Sequence, residues 1–173
     1  MPYADQPTVT ASGVEIPLLG FGTWQLEPAD ARRMVAEAIR IGYRHIDTAF
    51  IYKNEEAVGQ GIADAGVARD DLFVTTKIWV DNFHEGDLQK QAEESAGRLG
   101  LTPDLLLLHW PKPDVPLAET LKALNEVRSR GLTRAIGLSN FPSAMLEEAA
   151  KLSEAPIAND QVEYHPYLSI KTL

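Results

Sequence analysis

Residues 72–108 read LFVTTKIWVDNFHEGDLQKQAEESAGRLGLTPDLLLL, one complete strand–helix–strand unit. Leu72 to Trp79 is rich in β-branched and aromatic residues, which favour a pleated strand. A helix from about Glu85 to Leu99 follows and ends at Gly100, where a left-handed cap costs nothing. After Pro103, Leu105 to Leu108 is a continuous apolar run, as expected of a parallel strand covered on both faces. The stretch therefore argues for successive βα units.

The same rhythm extends both ways, recurring at roughly 25 to 30 residues. Downstream, Leu117, Leu121, Leu124 and Val127 stripe a helix that runs up to Gly131. Thr133 to Ser139 reads as a strand, a helix opens near Ser143, and Pro156 to Glu163 reads as another strand. Upstream lie a helix from Asn54 ending at Gly66 and a strand from Tyr43 to Ala49. Asp30 to Ile41 carries Ala31, Met34, Val35 and Ala38 at i, i+3, i+4 and i+7, with Gly42 in the C-cap position. Leu18 to Trp24 is the first strand of the series, and Thr8 to Thr10 and Val14 to Ile16 form a short hairpin about Ser12 and Gly13. About six βα units result, the last without most of its helix; Lys171 to Leu173 stand at an expected helix start.

A doubly wound open sheet also alternates strands and helices, but its Gly-rich turn after the first strand is not matched by Gly20, Phe21 and Gly22. The fold class expected is thus α/β, a TIM (β/α)8-barrel represented by its first six units, with residues 1–173 as one partial barrel domain. Closure takes eight units and typically about 250 residues. An unclosed barrel exposes two strand edges, so a fragment of a longer protein is expected.

The chain has 173 residues and no cysteine, which removes disulfides, thiolate nucleophiles and Cys-based metal sites; no metal is expected. A formal net charge of -9 and the lack of a Lys/Arg cluster argue against a nucleic-acid partner. No run of roughly eighteen apolar residues occurs, and Met1 to Val9 has neither a basic region nor an apolar one, so a cytoplasmic protein without membrane association is expected.

In such barrels reactive groups sit at the C-terminal ends of the strands. Asp47 closes the second strand, Tyr52 lies in the loop after it, Lys77 is near the end of the third, and His109 ends the fourth. Taken singly, Asp47 reads equally as a capping residue, Tyr52 as a half-buried aromatic and His109 as a structural histidine. Lys77 within the apolar run Phe73 to Trp79 implies a charged partner, since a buried ammonium is costly alone. Together the four can transfer a proton to a carbonyl. Lys77 would lower the phenol pKa of Tyr52 from about 10, Asp47 would hold Lys77, and His109 would hydrogen-bond the substrate oxygen.

Residues 42–52, GYRHIDTAFIY, followed by Asn54, Glu55, Val58 and Gly59, resemble the signature of the aldo-keto reductase family. TTKIW at 75–79, LLHWP at 107–111, IGLSNF at 136–141 and QVEYHPYL at 161–168 are similar to further family segments in the same order. The resemblance implies that Asp47, Tyr52, Lys77 and His109 are the catalytic tetrad, with Tyr52 the general acid and NADPH the hydride donor. It implies that Ser139, Asn140 and Gln161 meet the nicotinamide carboxamide, and that Gly22, Thr23 and Asp47 adjoin the cofactor. Trp24, Trp79 and Trp110, with Tyr52 and His109, would wall the substrate cleft. His45 and His165 match family positions but take structural roles, and His84 is a surface residue.

Most similar is the bacterial branch that includes 2,5-diketogluconate reductases, which implies a small carbonyl substrate, such as a keto-sugar acid, and a monomeric full-length parent. Two departures stand out. Asp160 occupies a position where related sequences often carry Asn, which would bring a charge toward the nicotinamide. The family's seventh and eighth units, with an aromatic that stacks on nicotinamide and basic residues for the adenosine phosphate, have no counterpart in this sequence. The resemblance leaves open a nucleotide-binding or regulatory protein of the same fold without turnover, and an isomerase or lyase that needs no nicotinamide.

Overall fold

The computed structural model describes residues 6–169. An antiparallel hairpin, β1 (Thr8–Ala11) and β2 (Val14–Pro17), precedes six parallel strands: β3 (Gly20–Gly22), β4 (His45–Asp47), β5 (Phe73–Ile78), β6 (Leu105–Leu108), β7 (Ala135–Ser139) and β8 (Ile157–Gln161). These lie side by side in chain order in one curled sheet. Helices α1 (Pro28–Arg40), α2 (Glu55–Ala65), α3 (Asp87–Leu99), α4 (Leu117–Ser129) and α5 (Ser143–Leu152) make the crossovers. The sequence-derived order is reproduced throughout.

Strand alternation sorts the side chains into two sets. Ile46, Val74, Leu106, Leu108, Ile136 and Leu138 face outward and pack beneath the helices in two apolar clusters. Phe73, Leu105, Leu107 and Ala135 face inward, where Val14 and Ile16 of the hairpin pack against them. The hairpin thereby plugs the end of the sheet where the strands begin. Burial of the β6 leucines on both faces accounts for the unbroken apolar run.

Helix α2 is wedged between its neighbours at two glycines. A Cβ on Gly59 would lie 2.2 Å from the Leu99 carbonyl oxygen, and one on Gly61 would lie 2.5 Å from the Arg32 carbonyl oxygen. Both obstacles are backbone, which cannot rotate away. Gly59→Ala is therefore expected to destabilise the protein by about 1 to 3 kcal/mol, read as a lower urea midpoint at unchanged m-value. At the strand starts, the buried Asp104 carboxylate accepts the Val74 N–H at 2.7 Å and pairs with Arg69 at 2.6 Å and Arg134 at 3.0 Å.

Two strands are shorter than the sequence suggests. The expected strand Leu18 to Trp24 is regular only over Gly20–Gly22, because Leu18 and Leu19 are exposed and the chain turns away at Gln25, φ 64°. The strand expected over Tyr43 to Ala49 is regular over His45–Asp47, although ladder bonds continue from Arg44 O to Phe73 N–H and from Thr48 N–H to Thr75 O. A helix starting at Lys171 lies outside the described residues. Among those residues, no helix is long and apolar enough to cross a membrane.

Candidate active site

Parallel register carries three strand tips to one mouth: Asp47 is level with Thr75, and Lys77 with Leu107, one residue short of the Leu108 that precedes His109. Thr75 and Lys77 share a parity with inward-facing Phe73, so Lys77 enters the interior rather than the helical layer. Its Nζ donates to Asp47 Oδ1 at 2.5 Å and to the Thr48 carbonyl at 2.9 Å, and only 1% of the side chain is exposed. A single 3-10 turn, Phe50–Tyr52, returns Tyr52 over this pair, placing the ammonium 5.4 Å from the centre of the phenol ring. His109 meets the Tyr52 ring edge-on at 5.7 Å and the Trp79 ring at 5.3 Å. The four residues singled out in the sequence thus converge: Asp47, Tyr52 and His109 line one cleft, and Lys77 is buried against Asp47.

That cleft has a volume of about 1270 Å³, and Trp24, Trp79 and Trp110 line it. Trp24 and Trp110 are 66% and 48% exposed, which places them at the rim. Neither of these two is packed in the core.

The electrostatics differ from the expected acidified phenol. Burial, reinforced by the Asp47 carboxylate, pushes Tyr52 up to about 12. Lys77 does not overcome this, its charge being engaged by Asp47 and Thr48. Tyr52 is consequently held as the protonated phenol. Burial, with the adjacent Lys77 charge, holds His109 down at about 4, so its ring is neutral above that pH. A folded-state value below that of the free imidazole means the unfolded chain binds more protons between pH 4 and 6.5. Stability is therefore expected to be fully present above about pH 6.5 and to fall by up to about 3 kcal/mol toward pH 4. Urea titrations of the wild type and of His109→Phe across this range check it, since the variant should lose that part of the slope.

Ser139, Asn140 and Gln161 form the opposite wall. Asn140 adopts φ 62°, a left-handed conformation that Asn tolerates, and its Nδ2 donates to His109 O and to Ser139 Oγ, both at 3.0 Å. Ser139 Oγ donates to Gln161 O at 2.8 Å, while the Gln161 Nε2 donates to Asp47 Oδ2 at 2.8 Å. Asn140 Oδ1 and Gln161 Oε1 have no partner among the described residues. Two such acceptors beside the cleft suit the N–H groups of a carboxamide, so this wall fits a nicotinamide.

Gly22 lines the cleft, but the Thr23 side chain is wholly buried behind it. Asp160 corrects the sequence reading. As the neighbour of inward-facing Gln161 on a strand, it points to the other side, where Oδ1 accepts the Phe141 N–H at 3.3 Å. No charge approaches the Ser139–Gln161 wall from it. His45 bridges Thr75 Oγ1 at 2.9 Å within the sheet, His84 is exposed beside Glu119, and His165 bonds Glu163.

Two residues were missed. Asn54 is 2% exposed, and it ties the Thr23 and Leu26 carbonyls to the Thr48 hydroxyl, fixing the loop that carries Trp24. Its place in the 42–59 motif was a signal that could have found it. Thr48 acts through a backbone carbonyl, for which no residue type is diagnostic.

The sequence model of the Aldo/keto reductase family matches residues 18–172. The chain belongs to this family. Among its relatives, the methylglyoxal reductase DkgB of Salmonella typhi is 44% identical over 157 residues, covering 88% of this chain and 59% of the relative. A solved structure named as a 2,5-diketo-D-gluconic acid reductase B superposes with a TM-score of 0.93 at 49% identity, covering 96% of this chain and 60% of the other. The Bombyx mori aldo-keto reductase in complex with NADP gives 0.88 at 36% identity, covering 96% and 61%. This aldo-keto reductase chain therefore spans about 60% of the length of the relatives it matches.

Proposed function

We propose that the protein is an oxidoreductase that reduces small aldehydes or ketones to alcohols with NADPH, Tyr52 acting as general acid. The observation that carries this is the single cleft shared by the Tyr52 phenol, the Lys77–Asp47 pair and the neutral His109 ring. When bound, NADPH supplies the hydride. Asn140 Oδ1 and Gln161 Oε1 would accept from the nicotinamide carboxamide and fix the ring face, while Ser139 Oγ holds the Gln161 backbone and the Asn140 side-chain amide. His109 donates a hydrogen bond to the substrate oxygen and sets its approach.

As negative charge develops on that oxygen, it takes the Tyr52 proton, and the buried Lys77 ammonium stabilises the phenolate left behind. A phenol protonated up to about pH 12 is always loaded for this step, and solvent reprotonates it through the open mouth. Relatives named for methylglyoxal and 2,5-diketogluconate favour short dicarbonyl or keto-acid substrates, and the NADP complex favours the phosphorylated cofactor.

The test is consumption of NADPH by the whole protein with methylglyoxal and with 2,5-diketogluconate, NADH serving as the comparison. Turnover with NADPH is expected. Saturable NADPH binding without consumption of any carbonyl would favour the regulatory, non-catalytic reading, and carbonyl turnover without nicotinamide would favour an isomerase or lyase.

A further inference from the structure

Gln161 ends β8, and three strands separate it from Asp47 on β4, yet its side-chain amide crosses the mouth to reach that carboxylate. The reach is built in rather than accidental. Gln161 O is pinned by Ser139 Oγ at 2.8 Å and by the Asn140 N–H at 2.9 Å, so the backbone that carries the amide is fixed on two sides. The two Asp47 oxygens are then divided: Oδ1 serves Lys77 and Oδ2 serves Gln161. A carboxylate held at both oxygens cannot rotate about its last bond, and the ammonium bonded to it keeps its place under the Tyr52 ring.

We infer that Gln161 is a positioning residue for the Asp47–Lys77 pair, joining the nicotinamide wall to the proton-transfer side of the cleft. The inference rests on the reductase reading for its chemical meaning, but the contact itself can be tested without cofactor. Gln161 Oε1 has no partner among the described residues while Nε2 is bonded to Asp47. One amide can therefore accept from a carboxamide and donate to Asp47 at once. Hydrogen bonds in such a chain polarise one another, so occupancy of the wall strengthens the hold on Asp47.

The decisive variant is Gln161→Glu, which sets a second carboxyl against Asp47. The other titratable groups lining the cleft are His45, Tyr52, His109, Glu163 and Tyr164, with Lys77 buried against Asp47, and none of them is bonded to Gln161. Two carboxylates at hydrogen-bond distance cannot both ionise cheaply, so the introduced carboxyl retains its proton when folded. The sign follows: stability of Gln161→Glu is intact at low pH, where that carboxyl is protonated in both states, and is lost as pH rises through its elevated folded value.

The measurement is the thermal midpoint of the whole, ligand-free protein between pH 5 and 9, for wild type, Gln161→Glu, Asp47→Asn and the double variant. Expected is a progressive drop in midpoint with rising pH for Gln161→Glu, absent from the double variant, where the amide and carboxyl have exchanged places. A drop of equal size in the Asp47→Asn background, or no pH-dependent drop in Gln161→Glu, overturns the inference. A Gln161→Glu protein that does not fold at any pH supports it if the double variant folds, and overturns it if the double variant does not.

In kinetics, Gln161→Leu is expected to lower kcat by about tenfold or more, beyond any rise in the Kd for NADPH, because the pair is displaced. An increase in Kd with unchanged kcat would show that Gln161 serves the cofactor alone. Should no carbonyl be reduced by the wild type, the reductase reading fails while the pH result still decides the contact.

Discussion

Tyr52→Phe is expected to lower kcat for carbonyl reduction by about 100- to 10,000-fold, with the Kd for NADPH and the unfolding free energy nearly unchanged. The phenol oxygen makes no hydrogen bond within the described residues, so its loss leaves no stranded partner in the fold. The ring itself keeps its edge contact with His109 and its place above Lys77. Only the transferable proton disappears. Single-turnover kinetics with saturating cofactor isolate this effect from binding. A variant retaining more than about a tenth of the wild-type kcat would move the proton donor elsewhere, with His109 the next group in reach.

Asp47→Asn is expected to destabilise the protein by about 3 to 5 kcal/mol and to lower kcat by at least about 100-fold. The reason is asymmetry: Lys77 is almost wholly buried, and the substitution leaves its ammonium with the Thr48 carbonyl but no counter-charge. Replacing both partners, Asp47→Leu with Lys77→Met, removes the buried charges together and is expected to regain most of the lost stability but none of the activity. Urea unfolding and NADPH consumption measured on wild type and these two variants separate the two roles. Equal stability of Asp47→Asn and wild type would mean that water, not Asp47, solvates the ammonium.

Much of this was legible in the residues because the strongest signals are collective. The run Leu105 to Leu108 coincides with β6, and the stripe Leu117, Leu121, Leu124 and Val127 lies within α4, since each is fixed by burial against two neighbours. Lys77 was legible for the opposite reason: a charge in an apolar strand needs a partner, and Asp47 is there.

Strand ends were less so. Regularity in β3 stops where Leu18 and Leu19 lose cover, which depends on what packs above them and not on their own propensity. Asp160 adjoins Gln161 in sequence but faces the other side of β8, because alternation and not nearness in sequence decides which face a strand residue occupies. The ionisation of Tyr52 runs opposite to the direction expected from Lys77 alone. Its direction depends on how far Asp47 and the surrounding atoms enclose the ring relative to the ammonium, a balance that belongs to three dimensions.

The grip of Asp104 on Arg69 and Arg134 lies at the beginnings of the strands, as far from Tyr52 as the sheet allows. Robustness and reactivity are thus housed at opposite poles. On the proposed reductase reading, the rim tryptophans Trp24 and Trp110 can in consequence be exchanged by engineering to retune which carbonyl is admitted, without loosening the foundation on which the strands stand.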